Sequence, residues 1–254
     1  MVIRAQQMAS LSDAATRNFE LQMCDHLMTF APVHCGKVGV EVLGHIVRLG
    51  VKRAAEYGFE NRGAVRFYLE LMIQLGTDFD TDPQLGWASP VLAAKWTDTE
   101  KERAALLYDL ATNYLDAVLG PRYEYEKQAL SRASRIEMDE LSRVAAAPVD
   151  RWLAAMRTLH PQKMDYAGDS AVRAIVSQAA AEAPRYGLAD PAGALLLATL
   201  MYAFGHHCAS DPQFPWIAST FSGRSGRDPH NLTEYLLVRA RGYARESLDA
   251  LEAR

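Results

Sequence analysis

The side chains best suited to chemistry in this sequence are three alternating carboxylates, Asp78, Asp80 and Asp82. Carboxylates spaced in this way begin calcium loops of the EF-hand type. Such a loop also needs a glycine at its sixth position and a glutamate at its twelfth, but Pro83 and Ser89 stand there. The pattern therefore favours a capping residue within a polar loop over a calcium site.

The segment that most resembles a metal or haem site is Gly205-His206-His207-Cys208. A zinc site needs three or four ligands, usually with H-x-x-x-H or C-x-x-C spacing, and neither spacing occurs in this sequence. Adjacent residues on a helix point about 100° apart, so His206 and His207 are poorly placed to share one ion. Interaction with a helix dipole is the commoner role for such histidines. The sequence predicts no metal and no cofactor.

Residue patterns typical of catalysis are also missing from the sequence. His34 and Cys35 are neighbours, but a cysteine nucleophile needs an imidazole oriented by a third group, and adjacent loop residues rarely achieve that geometry. The paired Glu-x-x-His motifs of di-iron bundles, glycine-rich phosphate loops and Gly-x-Ser-x-Gly elbows do not occur. We therefore expect no catalytic residues and a protein that is not an enzyme, although an enzyme of unidentified type stays open.

The sequence segments that must position these residues occur twice in the chain. Tyr57-Gly58 recurs as Tyr186-Gly187, and Asp82-Pro83-Gln84 recurs as Asp211-Pro212-Gln213, always 129 positions later. The same offset relates further pairs: Leu71-Met72 with Leu200-Met201, Gly76 with Gly205, and Trp87 with Trp216. The sequence therefore predicts a tandem duplication, in which residues 29–92 superpose on residues 158–221.

Hydrophobic periodicity predicts helices along the whole chain and no strand. We expect an all-α protein with a first helical repeat at 1–120, a charged connecting helix at 121–147 and a second repeat at 148–254. Each repeat should contain four to five helices. Pro32 should end the first helix, and Thr97-x-x-Glu100 reads as a capping box.

Composition and hydrophobic patterns limit the cellular location and the classes of partner that we expect for this protein. The net charge of −4 argues against a general nucleic-acid binder, and three cysteines form no disulfide framework. Residues 191–210 carry no Asp, Glu, Lys or Arg, but proline and glycine limit the apolar run to the length of a core helix. Residues 1–23 have no apolar core of a signal peptide. We expect a cytoplasmic protein with no membrane partner and a buried helix at 190–207.

Two loops differ most between the repeats and are therefore the candidate partner-binding sites. The acidic loop 78–82 offers Asp78 and Asp80, and the basic loop 222–228 offers Arg224 and Arg227. Recognition often uses loops carried by a rigid scaffold. Alternatively, the two oppositely charged loops face each other across the repeats, and the exposed face of the 121–147 helix is then the next candidate.

The run Leu71-Met72-Ile73-Gln74-Leu75-Gly76, followed by Asp78-Phe79-Asp80-Thr81-Asp82-Pro83 and Trp87, resembles a small helical family of uncharacterised bacterial proteins. Genes for that family often lie beside type VI secretion and polymorphic-toxin genes. The resemblance covers about residues 1–92 and implies an immunity (toxin-neutralising) or effector-adaptor protein that binds another protein, without active-site residues. The alternative is a helical protein that binds a small ligand or haem through the 190–208 helix and His206 or His207.

Overall fold

The computed structural model describes residues 5–94, 99–222 and 229–253, and the side chains of 14–94, 99–222 and 231–253. All regular secondary structure in these ranges is helical. The predicted all-α fold is therefore confirmed.

The first half of the chain forms six helices in the described ranges. They are α1 (Ala5–Phe30), α2 (Pro32–Val38), α3 (Val40–Glu56), α4 (Arg62–Leu75), α5 (Ala88–Leu92) and α6 (Glu100–Leu119). Pro32 does follow the end of α1, but it also starts α2, because a proline at the first helical position removes only an N–H that would have no helical partner. The side chain of Thr99 caps α6 by accepting from the backbone N–H of Glu102, whereas Thr97 lies outside the described residues.

The predicted connecting helix at 121–147 is wrong in one respect, because it is two helices. α7 spans Glu124–Ala133 and α8 spans Met138–Ala145. The turn between them is held from outside, since the Arg241 guanidinium donates to the Ser134 carbonyl and pairs with Glu137. α7 packs against α13, and α8 packs against α11.

The second half contains α9 (Val149–Leu159), α10 (Pro161–Glu182), α11 (Pro191–Phe204), α12 (Pro215–Ser222) and α13 (Pro229–Glu252). α10 bends at Gly168, where φ is 80°.

Glycines give the chain the same turn at equivalent positions of the two halves. Gly39 has φ/ψ of 88°/151° and Gly168 has 80°/154°. Gly76 has 103°/152° and Gly205 has 102°/154°. These positive φ values strain any residue with a side chain, which explains why glycine occupies all four positions. α4 and α11 are both 14 residues long, and each ends at one of these glycines.

Each half has its own hydrophobic core. One core is built from residues between Met23 and Val118, and the other from residues between Leu141 and Leu237. The uncharged α11 runs through the second core, where Leu196 is 1% exposed and Leu200 is 4% exposed. The predicted burial of this helix is confirmed.

Within the described ranges, no helix taken singly has both the length and the apolar character needed to cross a membrane. Two neighbouring helical segments, 161–186 and 191–204, meet this test only when they are taken together. The chain bends by 119° between them.

We predict that Leu196→Ala lowers the free energy of unfolding by about 2–5 kcal/mol, because it removes a buried side chain and leaves a cavity. Urea denaturation measures the loss. Val238 on α13 is 58% exposed, so Val238→Ala is the control and should change stability by less than about 0.5 kcal/mol. Equal losses for the two variants would contradict the placement of α11 in the core.

Candidate functional site

The turns that follow α4 and α11 meet face to face, and a buried carboxylate from each turn binds both halves. Oδ1 of Asp82 accepts from the backbone N–H of Gln84 at 2.8 Å and caps the short 3₁₀ turn Pro83–Leu85. Its Oδ2 accepts from the backbone N–H of His206, across the interface, at 2.9 Å. Asp82 therefore closes its own turn and holds the other one.

Asp211 makes the same two contacts in the opposite direction. Its Oδ1 accepts from the N–H of Gln213 at 2.9 Å, and its Oδ2 accepts from the N–H of Thr77 at 2.8 Å. Thr77 and His206 are 129 positions apart, as are Asp82 and Asp211. The interface is thus reciprocal.

Two glutamines extend this reciprocal contact. The amide of Gln84 donates to the carbonyl of Met201 at 3.2 Å, and the amide of Gln213 donates to the carbonyl of Met72 at 2.8 Å. The helix ends come so close that a Cβ on Gly76 would lie 3.1 Å from the Phe204 carbonyl. Glycine is required there by this approach as well as by its φ.

The two carboxylates differ in their electrostatic surroundings. Burial works against the ionised form of both. For Asp82, hydrogen bonding from His206 and Gln84 and the charge of Lys163 outweigh burial, so its pKa is lowered. For Asp211, burial dominates over its hydrogen bonds, so its pKa is raised.

The acidic loop 78–82 is not the free polar loop that the sequence suggested. The side chain of Asp78 is ion-paired with Arg53, and the His207 ring lies 3.4 Å from it. Asp80 is 5% exposed and accepts from the hydroxyls of Tyr57 and Tyr68 at 2.9 and 3.1 Å. Both carboxylates are therefore paired within the protein, so reversing the charge of Asp78 or Asp80 should lower the stability of the fold.

The turn that faces these carboxylates carries His206 and His207. Arg224 and Arg227, the other expected partner contacts, lie outside the described residues. Whether any of the four residues binds a partner stays a prediction.

His206 and His207 belong to the contact between the turns. The two rings lie with centroids 3.8 Å apart, and Nδ1 of His206 is 3.5 Å from Oδ2 of Asp82. No group of three His, Cys, Asp or Glu side chains in the described part of the chain converges as metal ligands would.

His34 and Cys35 do not interact as a catalytic pair. The His34 Nε2 contacts the Gln213 side-chain oxygen at 2.9 Å, in the other half. Cys35 is fully buried, and that burial raises its pKa to about 11, which keeps the thiol protonated near neutral pH.

Beside the crossed turns lies a cavity of about 280 Å³, bounded by α6, α7, α10, α11 and α13. Most of its wall is apolar and includes Leu115, Val118, Leu130, Ala133, Leu200 and Leu237. Both halves and the connector contribute to this wall.

Two buried polar atoms at this cavity have no hydrogen-bond partner among the described residues: Oε1 of Gln84 and Nε2 of His160. Nδ1 of His160 caps α10 by accepting from the N–H of Lys163 at 3.3 Å. In the neutral ring, this cap places the proton on Nε2, whose nearest carboxylate oxygen, on Glu126, is 3.6 Å away. Both atoms are buried, and both belong to residues of the cavity wall.

Lys163 supplies a charge at the same cavity. Its side chain is partly exposed, and its ammonium donates to the Ala203 carbonyl at 3.3 Å and lies 5.4 Å from the centre of the Tyr202 ring. Burial lowers the pKa of this amine, and the charges of Asp82 and Glu126 oppose that shift.

One difference between the halves leaves Gln84 without a donor. His34 and Lys163 are 129 positions apart, and His34 fills the acceptor of Gln213. Lys163 instead binds the Ala203 carbonyl. The residue types at positions 34 and 163, which lie 129 positions apart, are the sequence signal that could have indicated this site.

The chain matches no protein-family model, and no curated protein and no solved structure matches it.

We predict that Asp82→Asn destabilises the protein more than Asp211→Asn near pH 7. Both variants spoil one buried hydrogen bond, at about 1–3 kcal/mol, but Asp82→Asn also removes a favoured charge and Asp211→Asn removes a disfavoured one. Urea denaturation of both variants and the wild type measures this difference.

The pH dependence of the two penalties should also differ. Because the folded pKa of Asp211 is raised, its ionisation costs stability as the pH rises, and that cost vanishes in acid. The penalty of Asp211→Asn should therefore grow between about pH 7 and about pH 4. The penalty of Asp82→Asn should not grow, since Asp82 contributes above the ordinary value of 3.8 and loses that contribution only below it. Identical pH profiles would contradict the assignment.

Proposed function

We propose that this is a non-catalytic binding protein, whose ligand is a small and mainly apolar molecule held in the cavity between the two halves. The observation that carries this proposal is the pair of unpartnered polar atoms, Gln84 Oε1 and His160 Nε2, at a largely apolar wall. Leaving a buried polar group without a hydrogen bond costs about 1–3 kcal/mol, so such groups are normally satisfied. A ligand that binds both atoms removes that cost.

The same atoms define the polar end of the ligand. His160 Nε2–H and the Lys163 ammonium donate hydrogen bonds, and Gln84 Oε1 accepts one. A hydroxyl or amide group both accepts and donates, so it fits this set. The aliphatic wall fits a hydrocarbon body. This proposal keeps the small-ligand alternative that the sequence offered. It places the site at Gln84, His160 and Lys163 instead of at His206 or His207.

The proposal assigns no reaction to these residues. Burial raises the pKa of Cys208 as it does that of Cys35, which disfavours a thiolate nucleophile. In our proposal Lys163 binds the ligand and does not form a bond with it. That the protein is not an enzyme stays a prediction.

We also propose that the chain arose by tandem duplication. Support comes from the reciprocal contacts of Asp82 and Asp211, the matched φ/ψ values of the glycine pairs and the constant offset of 129. In this account the ancestral unit paired with a copy of itself, and the cavity became a ligand site when the two copies diverged at His34 and Lys163.

An immunity or effector-adaptor role in a bacterial secretion or toxin system remains a second proposal. It depends on the resemblance of residues 1–92, and it requires a protein partner. A cytoplasmic location, with no nucleic-acid or membrane partner, likewise stays a prediction from composition.

We predict that n-octanol, a hydroxyl on an apolar chain, raises the melting temperature of the protein, since a ligand that binds only the folded state stabilises it. n-Octylammonium has a similar body, but its head group can only donate hydrogen bonds and would leave the N–H of His160 without an acceptor, so it should have a much smaller effect. Differential scanning fluorimetry across a concentration series compares the two compounds.

Ala133→Leu provides the specific test, because it enlarges a side chain on the cavity wall. The octanol response should be lost in this variant and retained in Ala105→Leu, which makes the same change at an exposed position of α6. An equal response in both variants would show that octanol binds elsewhere and would reject the cavity as its site.

A further inference from the structure

A second concave surface lies outside the cavity, between the connector and α9. It is a groove of about 860 Å³ formed by the end of α7, by α8 and α9, and by part of α11. Its floor is apolar and includes the buried side chains of Leu141, Met156 and Leu195. Partly buried Val144 and Leu159 complete the floor.

The rim of this groove, by contrast, is cationic. Arg132, Arg135, Arg143 and Arg151 line it and are exposed, and Glu140 is the one acidic residue among the lining residues. This excess of positive charge is local, because the chain as a whole has a net charge of −4.

Three of these arginines have unused guanidinium groups. Arg132 donates to the Leu159 carbonyl and to Gln128, but the guanidinium groups of Arg135, Arg143 and Arg151 form no hydrogen bond or ion pair with the residues that the structure describes. Nearby arginines behave differently: Arg157 pairs with two aspartates. Unpaired arginines beside an apolar floor are therefore a property of this groove and not of the region.

The spacing of the arginines indicates the kind of anion that fits. Arg135 precedes α8 and Arg143 lies in its last turn, and eight helical residues extend about 12 Å. Arg151 lies on a separate helix, α9. Arginines carried by three separate segments, the turn before α8, α8 itself and α9, suit several carboxylates arranged along a helix better than one phosphate or carboxylate head group.

We propose that this groove binds an acidic amphipathic helix of a protein partner. The apolar face of that helix would cover the floor, as in other helix-in-groove complexes, and its Asp and Glu side chains would pair with the rim. Guanidinium groups suit this task, because their planar fork binds a carboxylate through two hydrogen bonds. A membrane surface is a poorer occupant, since the apolar side chains line the bottom of a groove and do not protrude.

The groove and the cavity share a wall. Ile136, Leu159 and Thr199 line both of them, so one layer of side chains separates the two sites. The proposed peptide site nevertheless has its own arginines and its own apolar floor. It does not depend on the cavity being a ligand site.

The test uses two fluorescein-labelled synthetic peptides of about 18 residues, which is about five helical turns. Both carry leucine at i, i+3, i+4 and i+7 positions. One carries glutamate on its polar face, and the other carries lysine at the same positions. Fluorescence anisotropy with the full chain should show binding of the glutamate peptide, weakening as salt is added, and no binding of the lysine peptide.

Arg135→Glu/Arg143→Glu should weaken binding of the glutamate peptide at least about tenfold, because the rim would then repel its carboxylates. Arg17→Glu/Arg48→Glu is the matched control: it changes the net charge equally at exposed arginines of the first half. Melting temperatures of both double variants establish that they are folded. Ala133→Leu should still bind the peptide, which separates this result from any failure of the cavity proposal.

Three results would overturn the proposal. The first is that the glutamate peptide does not bind the wild type. The second is that both double variants lose binding equally, which would mean that only net charge matters. The third is that the protein sediments with phosphatidylglycerol vesicles and fails to bind the peptide, which would assign the arginines to a membrane surface.

Discussion

Two buried carboxylates hold this molecule together, and most of its other features depend on them. Asp82 and Asp211 each satisfy a backbone N–H of their own half and one of the other half. Each would leave buried donors without a partner if it were lost. The glycines beside them cannot vary freely either, because the helix ends meet too closely for a side chain at Gly76. A reciprocal contact of this kind fixes both the distance and the angle between the two cores.

That fixed geometry also explains the cavity. Its wall helices come from both halves and from the connector, and the crossed turns determine how far apart the two halves lie. Interiors are normally close-packed, so a cavity of about 280 Å³ beside unpaired polar atoms is a departure from the usual packing. His34 contacts the side-chain oxygen of Gln213, whereas Lys163, 129 positions later, binds the Ala203 carbonyl, and Oε1 of Gln84 has no partner among the described residues.

The sequence predicted the local part of this arrangement and missed the long-range part. The capping residue expected in the acidic loop is Asp82, and it was predictable because a cap depends on neighbours along the chain. The second oxygen of Asp82 binds 124 residues away, and no local pattern reveals such a contact. The break between α7 and α8 was missed for a similar reason, because Arg241 on α13 stabilises it. The cavity and the groove depend on packed side chains from several helices, so the sequence did not predict either of them. It did name the 121–147 segment as the next candidate for a partner surface.

Amide hydrogen exchange at Thr77 and His206 tests the central claim most directly. Both residues lie in turns just after a helix, where amides ordinarily exchange through local fluctuations with little protection. If their N–H groups are bound by Asp211 and Asp82 of the opposite half, both should exchange as slowly as core amides of α4 and α11, through global unfolding. Exchange at the rate of an exposed loop, at either residue, would contradict the reciprocal contact on which this account depends.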